Sequence, residues 1–266
     1  MKTVVITGSA RGLGLEMAKV FRQNNVNVMI SDLKEENLIK AKEQLQTIQS
    51  NAKVEYCVCN VTSSKDFQSL VTYTKDTFGQ IDIWINNAGV NQPDKAIWEL
   101  SEQEINLVFD VDLKGAVMGS KIAMEYLLQQ GHGAIYNLEG YGSNDAMMLG
   151  LSVYGTSKRA MTYFTQALAK EVETRNSNIL VGRLSPGIMI TDFITNALGN
   201  QQKIELPEKT KKVYNILGDY PDVVAKFLVE SMLKNTKNNA HLEWLTSKKA
   251  AWRFMTAAFN KRDFFK

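Results

Sequence analysis

Residues 3–14 constrain this chain more than any other stretch. Thr3-Val-Val-Ile6 is short, β-branched and apolar on both faces, the pattern of a strand buried in a parallel sheet. It runs into Thr7-Gly-Ser-Ala-Arg-Gly-Leu-Gly14, and Leu13, Met17, Val20 and Phe21 then recur at helical spacing. The glycines therefore fall at a strand-to-helix turn. Such a turn aims backbone N–H groups and the positive helix end at an anion. Residues without a Cβ let the backbone approach a pyrophosphate closely. The spacing is Gly-x-x-x-Gly-x-Gly, not the commoner G-x-G-x-x-G. Strand, loop and helix arriving together still point to dinucleotide binding.

Val26 to Ser31 reads as a second apolar strand, with Asp32 at its end and Leu33 beside it. A carboxylate there accepts hydrogen bonds from ribose hydroxyls and repels a 2′-phosphate, which favours NAD. Arg11 and Lys34 are the counter-signal, two cations suited to the 2′-phosphate of NADP. Both cofactors stay open.

The alternation continues. Helices are expected over 35–50 and 63–78, and strands over 53–58 and 81–85, the latter running into Asn86-Asn-Ala-Gly89. A helical region over 101–130 is expected to be interrupted at Gly115 and Gly119. A strand over 134–138, a helix carrying Tyr154 and Lys158, and a strand over 178–184 follow. After Pro186-Gly187 come a mixed insertion at 188–217, a helix from Asp219 and a last strand over 241–245. This order predicts α/β architecture: one Rossmann domain with a doubly wound parallel sheet and ligands at the carboxyl ends of its strands.

Composition excludes several other functions. A net charge of +3 over 266 residues is too small to argue for nucleic acid. Two histidines, His132 and His241, rule out a histidine-rich metal cage, and no metal site is expected. Cys57 and Cys59 have no second pair elsewhere, so they read as two buried thiols rather than a zinc or disulfide framework. No signal peptide precedes the first strand, and no apolar run approaches the roughly 20 residues of a membrane helix. A cytoplasmic protein is expected.

Tyr154-Gly-Thr-Ser-Lys158 places a phenol and an ammonium on one helix face. A phenol with a pKa near 10 is a poor acid or base at neutral pH, and an adjacent cation brings it toward a useful range. Alone the pair reads as a solvated helix face. Beside a dinucleotide loop it is a candidate proton donor.

With Asn86-Asn-Ala-Gly89, Pro186-Gly187 and Thr191 added, the chain to about residue 235 resembles the short-chain dehydrogenase/reductase family. Tyr136-Asn-Leu-Glu-Gly-Tyr-Gly-Ser143 followed by Tyr154-x-x-x-Lys158 is similar to chlorophyll b reductases and their bacterial relatives. The resemblance implies that Gly8, Ser9, Gly12, Leu13 and Gly14 line the pyrophosphate. Asp32 would meet the ribose, Asn60 and Val61 would flank the adenine, and Asn87, Ala88 and Gly89 would run beneath the cofactor. Lys158 would hold the nicotinamide ribose and lower the pKa of Tyr154, the general acid/base for an alcohol or carbonyl substrate. Pro186, Gly187 and Thr191 would close over the nicotinamide. A homodimer or homotetramer is implied as well.

Three departures stand against that pattern. Asp112 occupies the position of an Asn that helps hold a water; it can still hold one, but adds a charge near Lys158. Gly140 aligns with the usual Ser, leaving Ser143 as the nearest hydroxyl to orient a carbonyl. Asn60 stands where Asp is usual. These changes keep a second reading open, a non-catalytic NAD(P)-binding sensor or scaffold. The aromatic and basic segment 246–266 (Trp252, Phe259, Phe264, Phe265) either tucks onto its own domain, closes a large apolar substrate pocket, packs on a partner subunit or touches a membrane surface.

Overall fold

The computed structural model describes residues 1–175, 177–191, 208–260 and 262–265. Seven parallel strands form one sheet: β1 (Thr3–Thr7), β2 (Asn27–Asp32), β3 (Val54–Val58), β4 (Ile83–Asn86), β5 (His132–Leu138), β6 (Asn178–Ser185) and β7 (Ala240–Glu243). Their order is β3-β2-β1-β4-β5-β6-β7, all parallel.

The alternation of side chains along each strand sorts the core into two layers. On β1, Val4 and Ile6 pack with α1 (Gly12–Gln23) and α2 (Glu35–Gln46), whereas Val5 faces α3 (Ser64–Phe78) on the other side. Both faces are covered, so the strands carry near-continuous apolar sequence. The winding reverses where β1 lies between β2 and β4, and in such sheets the crevice at the carboxyl ends of those strands is where ligands bind.

One expectation needs correction. Gly115 and Gly119 do not interrupt the helix: α4 (Glu102–Val108) passes through a π-helical stretch, Phe109–Gly115, into α5 (Ala116–Gln130). A Cβ at Gly119 would collide with the Asn86 side chain and crowd the Phe67 ring, so that glycine serves a close approach rather than a break. Cys57 is only half-buried, while Cys59 is buried and its thiol is pushed up to about 12 by that burial. Among the described residues no group of His, Cys, Asp and Glu is arranged to hold a metal, and no helix is long and apolar enough to cross a membrane.

Further α-helices among the described residues are α6 (Ser152–Glu173), α7 (Glu208–Leu217), α8 (Pro221–Lys234) and α9 (Ser247–Thr256). Most of the expected insertion, 192–207, lies outside the described residues. The C-terminal segment is pinned to its own domain through Asp219, which pairs with Arg253 at 2.7 Å and Arg262 at 3.1 Å. Phe264 meets Tyr220 edge-on at 5.0 Å, and Phe265 stacks on Tyr214. Trp252 and Phe259 remain exposed.

Candidate active site

The cradle after β1 is built by backbone. Gly8 has φ +61°, and a Cβ there would sit 2.7 Å from the Ala88 Cα, so the first and fourth strand loops touch only because position 8 is bare. The Thr7 hydroxyl accepts the N–H groups of Asn87 (3.0 Å) and Ala88 (3.1 Å), and the Asn87 amide donates to the Thr7 and Gly8 carbonyls. Gly12 also has positive φ and faces open space. Gly12, Leu13 and Gly14 form the first turn of α1, whose N–H groups have no acceptor within the helix. No acidic residue occupies that turn. This donor set fits the pyrophosphate of a dinucleotide.

Asp32 ends β2 half-buried, accepting the N–H groups of Ala10 (3.3 Å) and Leu33 (2.8 Å). Arg11 is exposed next along the same rim, so both cofactor signals read from the sequence sit at one place. Leu33 itself is exposed. The Ser9 hydroxyl is not turned to a phosphate: it donates to the Ile6 carbonyl and accepts from Ser31 N–H, locking β1 to β2. Asn60 spends its side chain on a local turn with Thr62, and the Val61 carbonyl lies under Gly115. At the far side of the crevice the Gly187 turn after Pro186 packs on Leu245. Met189 follows, forming an isolated parallel bridge with Asp219, and Thr191 is half-buried at the edge of the described segment.

Tyr154 and Lys158 lie in the first turns of α6, both buried, with the ammonium 5.4 Å from the phenol ring centre. Asp112 arrives from the π-helical stretch and places Oδ2 2.9 Å from Lys158 Nζ, while its Oδ1 accepts the Val90 N–H at 2.7 Å. Burial pushes the Tyr154 phenol up to about 12; Lys158 pulls it down and Asp112 pushes it up. The expected lowering by Lys158 is therefore present but outweighed. Burial works against the Lys158 ammonium too, yet Asp112, Tyr154 and Glu139 together hold its pKa above the ordinary value.

Gly140 and Ser143 also differ from expectation. A Cβ at Gly140 would run into the Tyr154 hydroxyl, so the phenol fills the space in front of that bare position. The Ser143 hydroxyl accepts the Gly140 N–H at 3.1 Å and donates to the Lys158 carbonyl at 3.4 Å. While that bridge holds, its proton is turned to backbone rather than to a substrate carbonyl.

Two residues escaped the sequence reading. Gln92 is buried, and its Oε1 accepts the N–H groups of Val153 and Tyr154, both at 2.8 Å, capping the Tyr-bearing helix from the loop after β4. Glu139 gathers Thr162 at 2.8 Å, His241 at 3.0 Å, Arg183 and Ser185, joining the ends of β5, β6 and β7 to α6. A capping Gln distant in sequence carries no local signal, whereas a Glu just past an apolar strand does hint at a buried partner set.

The chain belongs to the short-chain dehydrogenase family, whose model matches residues 2–202. It is an oxidoreductase of that family. A chlorophyll(ide) b reductase of rice, NOL, is 31% identical over 97% of this chain and 76% of its own length. A probable chlorophyll(ide) b reductase of rice, NYC1, is 29% identical over 99% of this chain, which spans only 54% of that relative. Levodione reductase shares the fold, with a TM-score of 0.81 at 22% identity over 94% of this chain and 98% of its own.

Proposed function

We propose that this protein transfers hydride between a nicotinamide dinucleotide and an alcohol or carbonyl compound, with Tyr154 as general acid/base. The observation that carries the reading is the burial of Tyr154 against Lys158 beside the strand loops that form the dinucleotide cradle. Gly8, Gly12, Leu13 and Gly14 would hold the pyrophosphate, and Asp32 the adenosine ribose. Bound there, the dinucleotide supplies or accepts the hydride. Tyr154 gives its proton to the substrate oxygen in reduction and removes it in oxidation. Lys158 stands beside the phenol, Asp112 holds its ammonium, the Val90 N–H holds Asp112, and Gln92 fixes the helix start.

The proposed substrate is a carbonyl or alcohol on a large apolar molecule. Supporting this, Gln92 ties together two loops that expose Trp98, Met147 and Leu149. The names of the chlorophyll(ide) b reductases point the same way. Replacing Tyr154 by Phe is expected to lower turnover about 10²–10⁴-fold in a panel of apolar ketones and alcohols, with NADH or NADPH affinity little changed. Dinucleotide titrations followed by fluorescence, alongside the turnover assay, check both halves. Full turnover in the variant would sink the assignment; tight dinucleotide binding with no turnover in either protein would favour the sensor reading.

A further inference from the structure

Lys158 does not face the Tyr154 phenol as an isolated cation. Its ammonium is in contact with the Asp112 carboxylate at 2.9 Å, and the two side chains are 6% and 0% exposed. Burial pushes the Asp112 carboxyl up, while the Lys158 ammonium on one side and the Val90 N–H on the other both favour its charged form and fix it in place. The other charged group bearing on Lys158 is Glu139, which is already surrounded by Arg183, His241, Ser185 and Thr162. Seen from the phenol, a contact ion pair is a dipole, and its pull on a phenolate is much weaker than that of a lone ammonium.

We propose that Asp112 is a positioning residue that cancels the charge of Lys158, so that Tyr154 keeps its proton through neutral pH and serves as a base only in alkaline solution. This rests on the hydride-transfer reading. In reduction the carbonyl carbon accepts a hydride from the reduced dinucleotide, the C=O π pair moves onto oxygen, and that oxygen takes the Tyr154 proton. The resulting phenolate is reprotonated from water. Oxidation reverses each step and has to start from the phenolate, which Asp112 disfavours. The acid role is thus ready at neutral pH, and the base role waits for higher pH.

Asp112→Asn removes the charge while keeping an oxygen for the Val90 N–H. Tyrosinate absorbance is followed with rising pH in the wild type and in D112N, each minus its Y154F counterpart, with circular dichroism confirming the fold at every point. The Tyr154 midpoint in D112N is expected to fall by about one pH unit or more, and the alkaline rise of alcohol oxidation to move down with it. An unchanged or higher midpoint would overturn the proposal, because Asp112 would then carry no charge that the phenol feels. A wild-type midpoint below the ordinary phenol value of about 10 would overturn it without any variant at Asp112. The absorbance titration needs no turnover. Undiminished turnover in Y154F would therefore defeat the assignment of Tyr154 as the acid/base of hydride transfer while leaving the charge cancellation measurable, and an unmoved midpoint would leave that assignment standing.

Discussion

The cradle after β1 and the corner around Tyr154 lie at the same end of the sheet but are made of different material. The cradle is mainly backbone: bare glycines and first-turn N–H groups, with one side chain, the Thr7 hydroxyl, holding two strand loops together. The corner is side chains: a phenol, an ammonium and two buried carboxylates brought in by separate segments. Backbone sites tolerate changes of neighbouring side chains and fail when a Cβ is added. Side-chain sites keep their shape under substitution but change their chemistry through charge.

The sharpest way to break that contrast is at Gly8. Gly8→Val forces a branched side chain into a left-handed backbone and into the Ala88 Cα. Loss of measurable NADH and NADPH binding is expected, with destabilisation of about 2–4 kcal/mol in urea. Retained binding would mean the two strand loops can separate without losing the cradle.

This division also explains what was legible in the sequence. The glycine loop, the strand alternation and the Tyr154/Lys158 pair are local patterns, and each occupies its expected element. The π-helical stretch was not legible, because its wider turn leaves the composition of a helix intact. Asp112 was visible as an added charge, but the contact with Lys158 depends on that stretch and on the Val90 N–H. Gln92 lies more than 60 positions from the backbone it caps, beyond any helical or strand period.

A smaller effect is expected where the corner most resembles the cradle. Gly140→Ser supplies the hydroxyl that the family resemblance calls for, yet its Cβ collides with the Tyr154 hydroxyl and crowds Lys158 Cε at 3.2 Å. Turnover is expected to fall about 10-fold or more, as for a misplaced reacting group, with dinucleotide affinity preserved. A gain in turnover would show that Tyr154 moves freely, and that the bare position is no part of the site's geometry.

The smallest effect concerns Glu139, which tests whether the side-chain corner is also a structural joint. Burial works to raise its pKa, but hydrogen bonds from His241, Ser185 and Thr162 hold the carboxyl at about 2. A carboxyl whose folded pKa lies below its unfolded value of about 4.3 adds stability in full above that unfolded value. The contribution is lost as pH falls from about 5 toward 2. Glu139→Gln keeps the size, removes the charge and leaves Arg183 without its carboxylate. At pH 7 the variant is expected to be less stable by about 1–3 kcal/mol. The gap should narrow on acidification, because only the wild type loses the ionised carboxylate. Urea midpoints of both proteins at pH 7, 5 and 3.5 provide the check. A gap that stays constant with pH would mean that the Gln change acts through packing, and that the ends of β5, β6 and β7 are joined by shape rather than by the charge of Glu139.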